Sequence, residues 1–230
     1  MKGLGKLIWR FVKIFVIAFV GISVLSVIAY RFINPPFTWL MIGRGFERKA
    51  AGKDWKIDKE WRDLDEMSSF MPRAAVAAED ATFLNNVGFD FKAIQRAAKN
   101  NGKGKHMAGG STITQQTAKN VFLWSGRSWL RKGLEAYFTV LIQIFWSKER
   151  VMEVYLNVIE MGDGIYGVQA AAQEYFHKDA KDLTRSQCAA IASIFPSPLH
   201  WSPTKPSRYV KHRQYLIKRN MKIIGPLEFD

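Results

Sequence analysis

Apolar residues along this chain follow two different patterns. Between Lys13 and Arg31 the sequence IFVIAFVGISVLSVIAY is a run of 17 uncharged residues. From about residue 65 onward, apolar residues instead recur every three or four positions, which is the spacing of amphipathic α-helices. The clearest set comprises Leu130, Leu134, Tyr137, Phe138, Leu141, Ile142 and Phe145. The patterns predict one apolar helix of membrane-spanning length, followed by a mainly α-helical region.

Residues that favour helix N-termini precede the apolar stretches of the second region. Two capping boxes, each a Thr followed three residues later by Gln, begin at Thr112 and Thr184. Single N-caps are predicted at Asp90, Ser147 and Ser207. Glycines predict where two of these helices stop, at Gly102 and near Gly225. Alternating strand patterns are scarce, so the region is predicted to be mainly α.

The N-terminal apolar run is predicted to be an uncleaved membrane anchor. If Arg31 snorkels, the apolar span extends through Ile33, about the length that crosses a bilayer. Four cations and no acid precede it: Lys2, Lys6, Arg10 and Lys13. The positive-inside rule then keeps the N-terminus in the cytoplasm and exports the rest. A cleaved signal peptide is the alternative, but the run is long and no clear small-x-small site follows.

The remaining chain is predicted to divide into two parts. Residues 34–64 are interpreted as a linker and membrane-proximal segment, because NPPFTWLMIGRG contains two prolines and two glycines. Residues 65–230 form the predicted domain. Within it, the glycine-rich and cationic segment from Asn100 to Gly110 is either a solvated surface loop or a loop that moves over a substrate.

The charge balance indicates an anionic partner. Lys and Arg exceed Asp and Glu by 34 − 20 = +14, and the four cations before the anchor leave +10 on the remainder. The basic character therefore belongs mostly to the exported part, which argues against nucleic acid and for an anionic membrane-borne partner. The single cysteine, Cys188, excludes an intramolecular disulfide and a Cys-based zinc site and is predicted to be a core residue.

Two acidic positions are candidates for chemistry. Glu79 follows a run of small apolar residues in RAAVAAEDATF, where apolar surroundings raise the pKa of a carboxyl group and suit it to act as a general acid or base. A solvated acid at a helix end is the alternative. Glu135 follows Arg131 and Lys132 at helical spacing. This is either a surface ion pair or a carboxylate whose basic neighbours also hold a phosphate.

Five segments occur in a distinctive order: AAEDATFLNNVGFD, GGSTITQQTAKN, RKGLEAYF, SKERVMEVYLN and GIYGVQAAAQEYF. They resemble the five successive motifs of the peptidoglycan glycosyltransferases, which polymerise lipid II and occur in class A penicillin-binding proteins and as monofunctional enzymes. The resemblance covers about Phe70 to Pro198. The pair of SxxK and KTG motifs that marks a transpeptidase does not follow. A lysozyme-like glycosyltransferase domain behind one anchor, facing the periplasm from the cytoplasmic (inner) membrane, is therefore expected.

The resemblance implies an inverting reaction that joins sugars by β-1,4 bonds. Glu79 is then the base for the acceptor 4-hydroxyl, and Glu135 is the family's second essential glutamate, which orients cations or a Mg²⁺ ion on the pyrophosphate. A Mg²⁺ ion near Glu79 or Glu135 is compatible with the resemblance but not required by it. The family often has His where this chain has Asn86, so a proton shuttle at that position is not expected.

The resemblance also implies a set of substrate-binding residues. The cations expected to bind the pyrophosphate are Lys119, Arg131, Lys132 and Lys148. Other expected substrate-binding positions, some of which can be architectural, are Asp80, Phe83, Ser111, Thr112, Gln115, Gln116, Glu153, Tyr155 and Asn157. The expected partners are lipid II, the growing glycan chain and the membrane, with proteins of cell-wall synthesis or division as compatible further partners. Inhibition by the phosphoglycolipid moenomycin is also implied.

Two other classes of function remain as alternatives. A lytic transglycosylase or lysozyme also uses a glutamate on an α fold but cleaves glycan, and the predicted set of cations around a pyrophosphate argues against it. A non-enzymatic, membrane-anchored scaffold that binds anionic lipid accounts for the charge and the anchor but not for the ordered motifs.

Overall fold

The computed structural model describes residues 2–95, 110–126 and 128–229. Helices dominate, as predicted, and three very short strands accompany them. The helices with defined bounds are α1 Lys2–Phe32, α2 Trp39–Ala50, α3 Phe70–Glu79, α4 Ile113–Phe122, α5 Trp129–Phe145, α6 Lys148–Val158, α7 Gly167–Phe176, α8 Arg185–Ser193 and α9 Arg208–Ile224. The strands are β1 Asp58–Lys59, β2 Glu160–Gly162 and β3 Ile165–Tyr166, and short 3-10 turns lie at Leu64–Glu66 and Ala180–Asp182.

The predicted helix starts are confirmed by their hydrogen bonds. Both capping boxes form, at Thr112 and at Thr184. The hydroxyls of Ser147 and Ser207 cap α6 and α9. Asp90 accepts a hydrogen bond from the backbone N–H of Ala93 at 2.8 Å, at the start of a helix described only through residue 95. The predicted stop at Gly102, and the segment from Asn100 through residue 109, lie outside the described residues.

Helix α1 is long and apolar enough to cross a membrane between Gly5 and Phe32. It also packs along α5: the Ser23 hydroxyl lies 2.6 Å from the Tyr137 hydroxyl, and the indole N–H of Trp146 donates to the Val27 carbonyl at 2.7 Å. The side chain of Arg150 closes the C-terminal end of α1 by donating to the Tyr30 carbonyl at 3.0 Å. These contacts seat the apolar helix against the remainder of the protein.

The segment predicted to be a linker contains helix α2 and packs on the domain. Thr38 caps α2, and Met41 is completely buried. The glycines that suggested a linker instead permit close packing, because a Cβ atom at Gly45 would lie 2.4 Å from the ring of Trp55. Strand β1 then pairs in parallel with β3, which pairs antiparallel with β2. The tertiary packing therefore determines the use of these glycines, which the local sequence does not show.

Two groups of helices surround the core. Helix α4 packs against α5 and α6, while α9 packs against α3 and α8. Most residues of α6 are buried, and Cys188 of α8 is a buried free thiol, as predicted. The two groups meet where the C-terminus of α3 faces the N-terminal half of α4, and the candidate site lies at this junction.

Candidate active site

Asp80 joins the end of α3 to the start of α4. Its carboxylate accepts hydrogen bonds from the backbone N–H of Ile113 at 3.1 Å and from the side-chain amide of Asn86 at 3.0 Å. Thr82 adds a backbone donor at 3.3 Å and a hydroxyl donor at 3.1 Å. Burial raises the pKa of Asp80, and these donors oppose the rise. Because Ile113 is the first residue of α4, Asp80 holds that helix beside its neighbour Glu79.

Both carboxylate oxygens of Glu79 accept hydrogen bonds from other helices. The amide of Gln116 on α4 donates to Oε2 at 3.0 Å, and Arg213 on α9 donates to Oε1 at 2.8 Å. The Tyr155 hydroxyl lies 3.3 Å from Gln116 Oε1 and donates to it, which orients the amide. The Glu79 side chain is 16 % exposed. It is therefore sheltered but still reachable by a substrate.

Burial raises the pKa of Glu79 above its ordinary value, while Gln116, Arg213 and Lys119 act in the opposite direction. The raised pKa predicted from the apolar residues before Glu79 is thus confirmed in direction, and burial is its cause. A carboxylate with a raised pKa takes up a proton more readily than an ordinary glutamate, which suits general-base chemistry. The alternative of a solvated acid at a helix end is not what the structure shows.

A cleft of about 420 Å³ lies along α4, and Arg44, Lys119 and Arg131 are among its lining residues. A smaller cleft of about 180 Å³ shares Arg44 and Lys119 and reaches Gln116. Through Gln116 the cleft is in direct contact with Glu79. The proposed base and the cations of the cleft therefore belong to one continuous surface.

Two donors in this cleft lack partners among the residues that the structure describes. The Lys119 ammonium makes no hydrogen bond or ion pair there, and Arg131 Nε is buried without a hydrogen-bond partner. Burial lowers the pKa of Lys119, Glu135 opposes the change, and Arg131 and Lys132 add to it. Buried donors without acceptors are costly, so the arrangement favours an anionic ligand that supplies the acceptors.

Glu135 is buried and holds two cations near this cleft. It accepts a hydrogen bond from Arg131 at 2.9 Å and forms a second ion pair with Lys132. Its side chain is only 4 % exposed, whereas that of Lys132 is 45 % exposed. The interpretation as a surface pair is wrong. The carboxylate fixes the guanidinium of Arg131, so that its remaining donors stay at the cleft.

Lys148 differs from the expectation that it joins the other cations. Its ammonium donates to the Asn86 carbonyl at 2.7 Å and to the Gln143 side-chain oxygen at 3.3 Å, and it lies 4.9 Å from the centre of the Phe83 ring. Lys148 does not line either part of the cleft. The protein itself therefore supplies the acceptors for Lys148, which supports the corner formed by Asp80 and Asn86.

Three expected substrate contacts are instead completely buried: Phe83, Tyr155 and Asn157. Phe83 packs in the core. Asn157 accepts a hydrogen bond from the Arg62 backbone N–H at 3.0 Å and donates to the Arg62 carbonyl at 2.8 Å, which ties α6 to the chain after β1. Neighbouring helices cover these three side chains. Their contact with a substrate stays a prediction, and the contacts seen here are with the protein itself.

Most of the remaining expected substrate-binding residues either stabilise helices or reach the cleft. Thr112 and Gln115 are buried and form the capping box of α4. Glu153 pairs with Arg150, which closes the end of α1. Ser111 is exposed at the entry to α4, and Gln116 is half-buried. Of the polar residues in GGSTITQQTAKN, the cleft is therefore reached by Gln116, Lys119 and Asn120. Thr112 and Gln115 build the helix that carries them.

The two glutamates do not form a protein-only magnesium site. Mg²⁺ takes near-octahedral oxygen coordination. The described residues contain no cluster of three or more His, Cys, Asp or Glu side chains that could hold a metal ion. The oxygens of Glu135 already face Arg131 and Lys132, and those of Glu79 face Arg213 and Gln116. The protein's own cations are therefore the candidates to neutralise a bound anion.

Two residues of the site were missed in the sequence analysis. Arg213 contacts Glu79 from α9, 134 residues further along the chain. Arg44 lines the cleft from α2 and is held by Glu160 at 3.0 Å. Neither belongs to one of the five ordered motifs. The absence of acidic residues from α9 was the one local signal, but it did not single out Arg213.

Comparison with known proteins agrees with this geometry. The family model described as "Transglycosylase" matches residues 49–222. This chain belongs to the transglycosylase family. A Caulobacter vibrioides protein named biosynthetic peptidoglycan transglycosylase is 55 % identical over 83 % of this chain and 80 % of its own length. Proteins of the same name from Xanthomonas campestris pv. campestris and Pseudomonas putida are each 47 % identical over 90 % of this chain, and over 85 % and 88 % of their own lengths.

Membership of the transglycosylase family agrees with the fold. The mainly α structure with one N-terminal apolar helix is consistent with a lysozyme-like glycosyltransferase domain. The family match extends from the end of α2 into α9, so it contains Glu79, Arg213 and the cleft residues of α4 and α5, whereas Arg44 precedes it. The names of the relatives indicate biosynthesis of peptidoglycan and do not favour glycan cleavage.

Proposed function

We propose that this protein polymerises lipid II into β-1,4-linked glycan and releases undecaprenyl pyrophosphate, with inversion at the reacting sugar carbon. The observation that carries the proposal is the pairing of a sheltered carboxylate, Glu79, with a cationic cleft reached through Gln116. In that cleft, Lys119 and Arg131 present donors that have no acceptors among the described residues.

Glu79 acts as the general base. The acceptor 4-hydroxyl attacks C1 of the donor sugar, a C–O bond forms, and the C1–oxygen bond to the pyrophosphate breaks on the opposite face. The hydroxyl proton passes to Glu79, and the electron pair of the broken bond leaves with the pyrophosphate. A carboxylate has about four lone-pair sites, of which Gln116 and Arg213 occupy two, so acceptor capacity remains for this proton.

The leaving group is stabilised by charge rather than by a proton. A pyrophosphate is a weak base, and fixed cations aimed at the developing charge lower the barrier without reorganisation. Lys119 and Arg131 line the cleft, and Lys132 shares the carboxylate of Glu135 with Arg131. Glu135 serves by positioning these cations and does not contact the reacting atoms.

The proposed topology follows from α1. The cations of the first 13 residues favour a cytoplasmic N-terminus, and the domain after α1 then lies outside the cytoplasmic membrane. The apolar helix packs along α5 through Ser23 and Val27, which keeps the domain at the bilayer surface. A substrate with a lipid tail can reach the cleft there without leaving the membrane.

A direct test is incubation of the detergent-solubilised full chain with purified lipid II, followed by gel separation of the products. Ladders of glycan that muramidase digests, and that moenomycin suppresses, are expected. The matched control is Glu79→Gln, which keeps the shape of the side chain but cannot take the proton. Shortening of preformed glycan without any polymer from lipid II would favour the lytic alternative.

A further inference from the structure

The guanidinium of Arg213 is fixed by two acceptors at the end of α3 and by a third at the end of α8. Its Nη2 donates to Glu79 Oε1 at 2.8 Å and to the Ala78 carbonyl at 3.3 Å, and its Nε donates to the Ser193 carbonyl at 3.1 Å. These contacts join α9 to α3 and α8. The side chain is 23 % exposed, so its position is set by the protein and not by solvent.

The contact between Arg213 and Glu79 bears on the ionisation of a buried base. Burial favours the neutral form of a carboxyl group, but a neutral carboxyl group cannot accept a proton. A cation in direct contact favours the ionised form and so restores the base. Within the described residues, Arg213 is the cation that forms an ion pair with Glu79.

The other groups that face Glu79 cannot replace Arg213. Gln116 is neutral, and burial raises the pKa of Tyr155 well above its ordinary value, so the phenol stays uncharged. Asp80 is itself an acid. Lys119 favours the ionised form of Glu79 from a distance, but in the proposed reaction its charge faces the pyrophosphate. Once substrate is bound, Arg213 is the cation left to Glu79.

We infer that Arg213 is a positioning residue for the base, holding Glu79 ionised and oriented while the cleft cations are engaged by the substrate. The inference rests on the proposed function, because it assigns Arg213 a part in the same reaction. Arg213 acts through Glu79 and does not touch the reacting atoms. A purely structural role, in which Arg213 only fastens α9, would leave the titration of Glu79 unchanged.

The decisive variant is Arg213→Gln, compared with wild type across pH. Loss of the ion pair should move the acidic limb of the rate profile upward by about 1 pH unit, which is the lower end of the shift that a nearby opposite charge causes. The sign follows because removal of the cation disfavours the charged carboxylate. Lys211→Gln is the control: it removes a cation from an exposed position on the same helix and should leave the limb in place. An unmoved limb in a folded Arg213→Gln protein overturns the inference.

Arg213→Lys decides the matter if Arg213→Gln does not fold. Lysine keeps the charge but lacks the planar fork that joins Glu79 to two backbone carbonyls. Its acidic limb should stay close to that of wild type, while kcat falls by about tenfold with KM unchanged, because such small misplacements of a catalytic group are costly. Wild-type kcat in this variant overturns the positioning role.

A measurement that does not depend on turnover separates this inference from the proposed function. Carboxyl-labelled glutamate can be followed by NMR in the detergent-solubilised full chain, with the Glu79 signal assigned by its loss in Glu79→Gln. The Glu79 pKa should rise in Arg213→Gln and stay unchanged in Lys211→Gln. If wild type makes no polymer but this rise is seen, the proposed function fails and the control of Glu79 by Arg213 stands. If polymer forms but no rise is seen, the inference alone fails.

Discussion

The carboxylate of Asp80 accepts a hydrogen bond from the backbone N–H of Ile113 at 3.1 Å. This contact places the first turn of α4 beside the last residue of α3, so that Gln116 reaches Glu79. Two adjacent acids thus have different tasks: Asp80 builds the junction between two helices, and Glu79 faces the residues of the cleft.

Asp80→Ala is expected to destabilise the protein. The change leaves the buried N–H of Ile113 without its acceptor, at a cost of about 1–3 kcal/mol, and removes the nearest acceptor of the Asn86 amide. Activity should fall as well, because α4 no longer holds Gln116 against Glu79. Denaturant unfolding monitored by circular dichroism measures the first effect. Asp65→Ala, at an exposed acid, is the control and should unfold as wild type does.

Glu79→Gln is expected to lose polymerisation activity by about 10²–10⁴-fold, the usual contribution of a general base. The fold should survive, because Arg213 can still donate to the amide oxygen of the new side chain. Initial rates with lipid II measure the loss. A variant that keeps more than about a tenth of wild-type activity has lost less than about tenfold, which falls short of the smallest expected loss. The base then lies elsewhere, and Glu135 becomes the first candidate.

The acidic limb of the wild-type rate profile should lie above the free glutamate value of about 4.3, because burial raises the pKa of Glu79. The rate falls as pH drops through that raised pKa, since the protonated carboxyl group cannot act as a base. Asn86→His is the informative comparison, because His adds a titrating group beside Asp80. A second ionisation in the rate profile of Asn86→His, absent from the wild-type profile, would show that the residue at this position determines how many groups titrate.

Lys119→Ala should lower polymerisation by about one to two decades, since charge-assisted contacts are worth roughly 1.5–3 kcal/mol each. Moenomycin, which also carries a phosphate, should bind more weakly to Lys119→Ala and Arg131→Ala. Lys148→Ala provides the contrast. Its ammonium is held by Asn86 and Gln143, so this change should lower the free energy of unfolding. Moenomycin affinity should stay close to that of wild type. Unchanged affinity in both cleft variants would refute the assignment of the pyrophosphate site.

A variant that begins at Asn34 tests the role of α1. Removal of α1 uncovers Tyr137 and Trp146, which pack against it, so the variant should associate less with membranes and unfold more readily. It should still polymerise lipid II in detergent, because the cleft and Glu79 lie outside α1. Complete loss of activity in a folded protein of this length would show that α1 forms part of the site.

Contacts between residues close in sequence were the predictable part of the site. The capping boxes at Thr112 and Thr184 formed as predicted, because a cap depends on residues three positions apart. The pairing of Glu135 with Arg131 likewise follows from helical spacing, but the spacing could not tell a buried pair from an exposed one. The burial of Glu135 depends on which helices cover α5.

By itself, the sequence determined the helical class, the apolar N-terminal helix, the starts of five helices and, through its ordered motifs, the family. These depend on local periodicity, local capping and residue identity. Only the tertiary structure decided that α2 packs on the domain, that Lys148 turns toward Asn86, and that Arg213 meets Glu79. Such contacts join residues far apart in the chain, and their distances are set by the packing of helices rather than by any spacing within one helix.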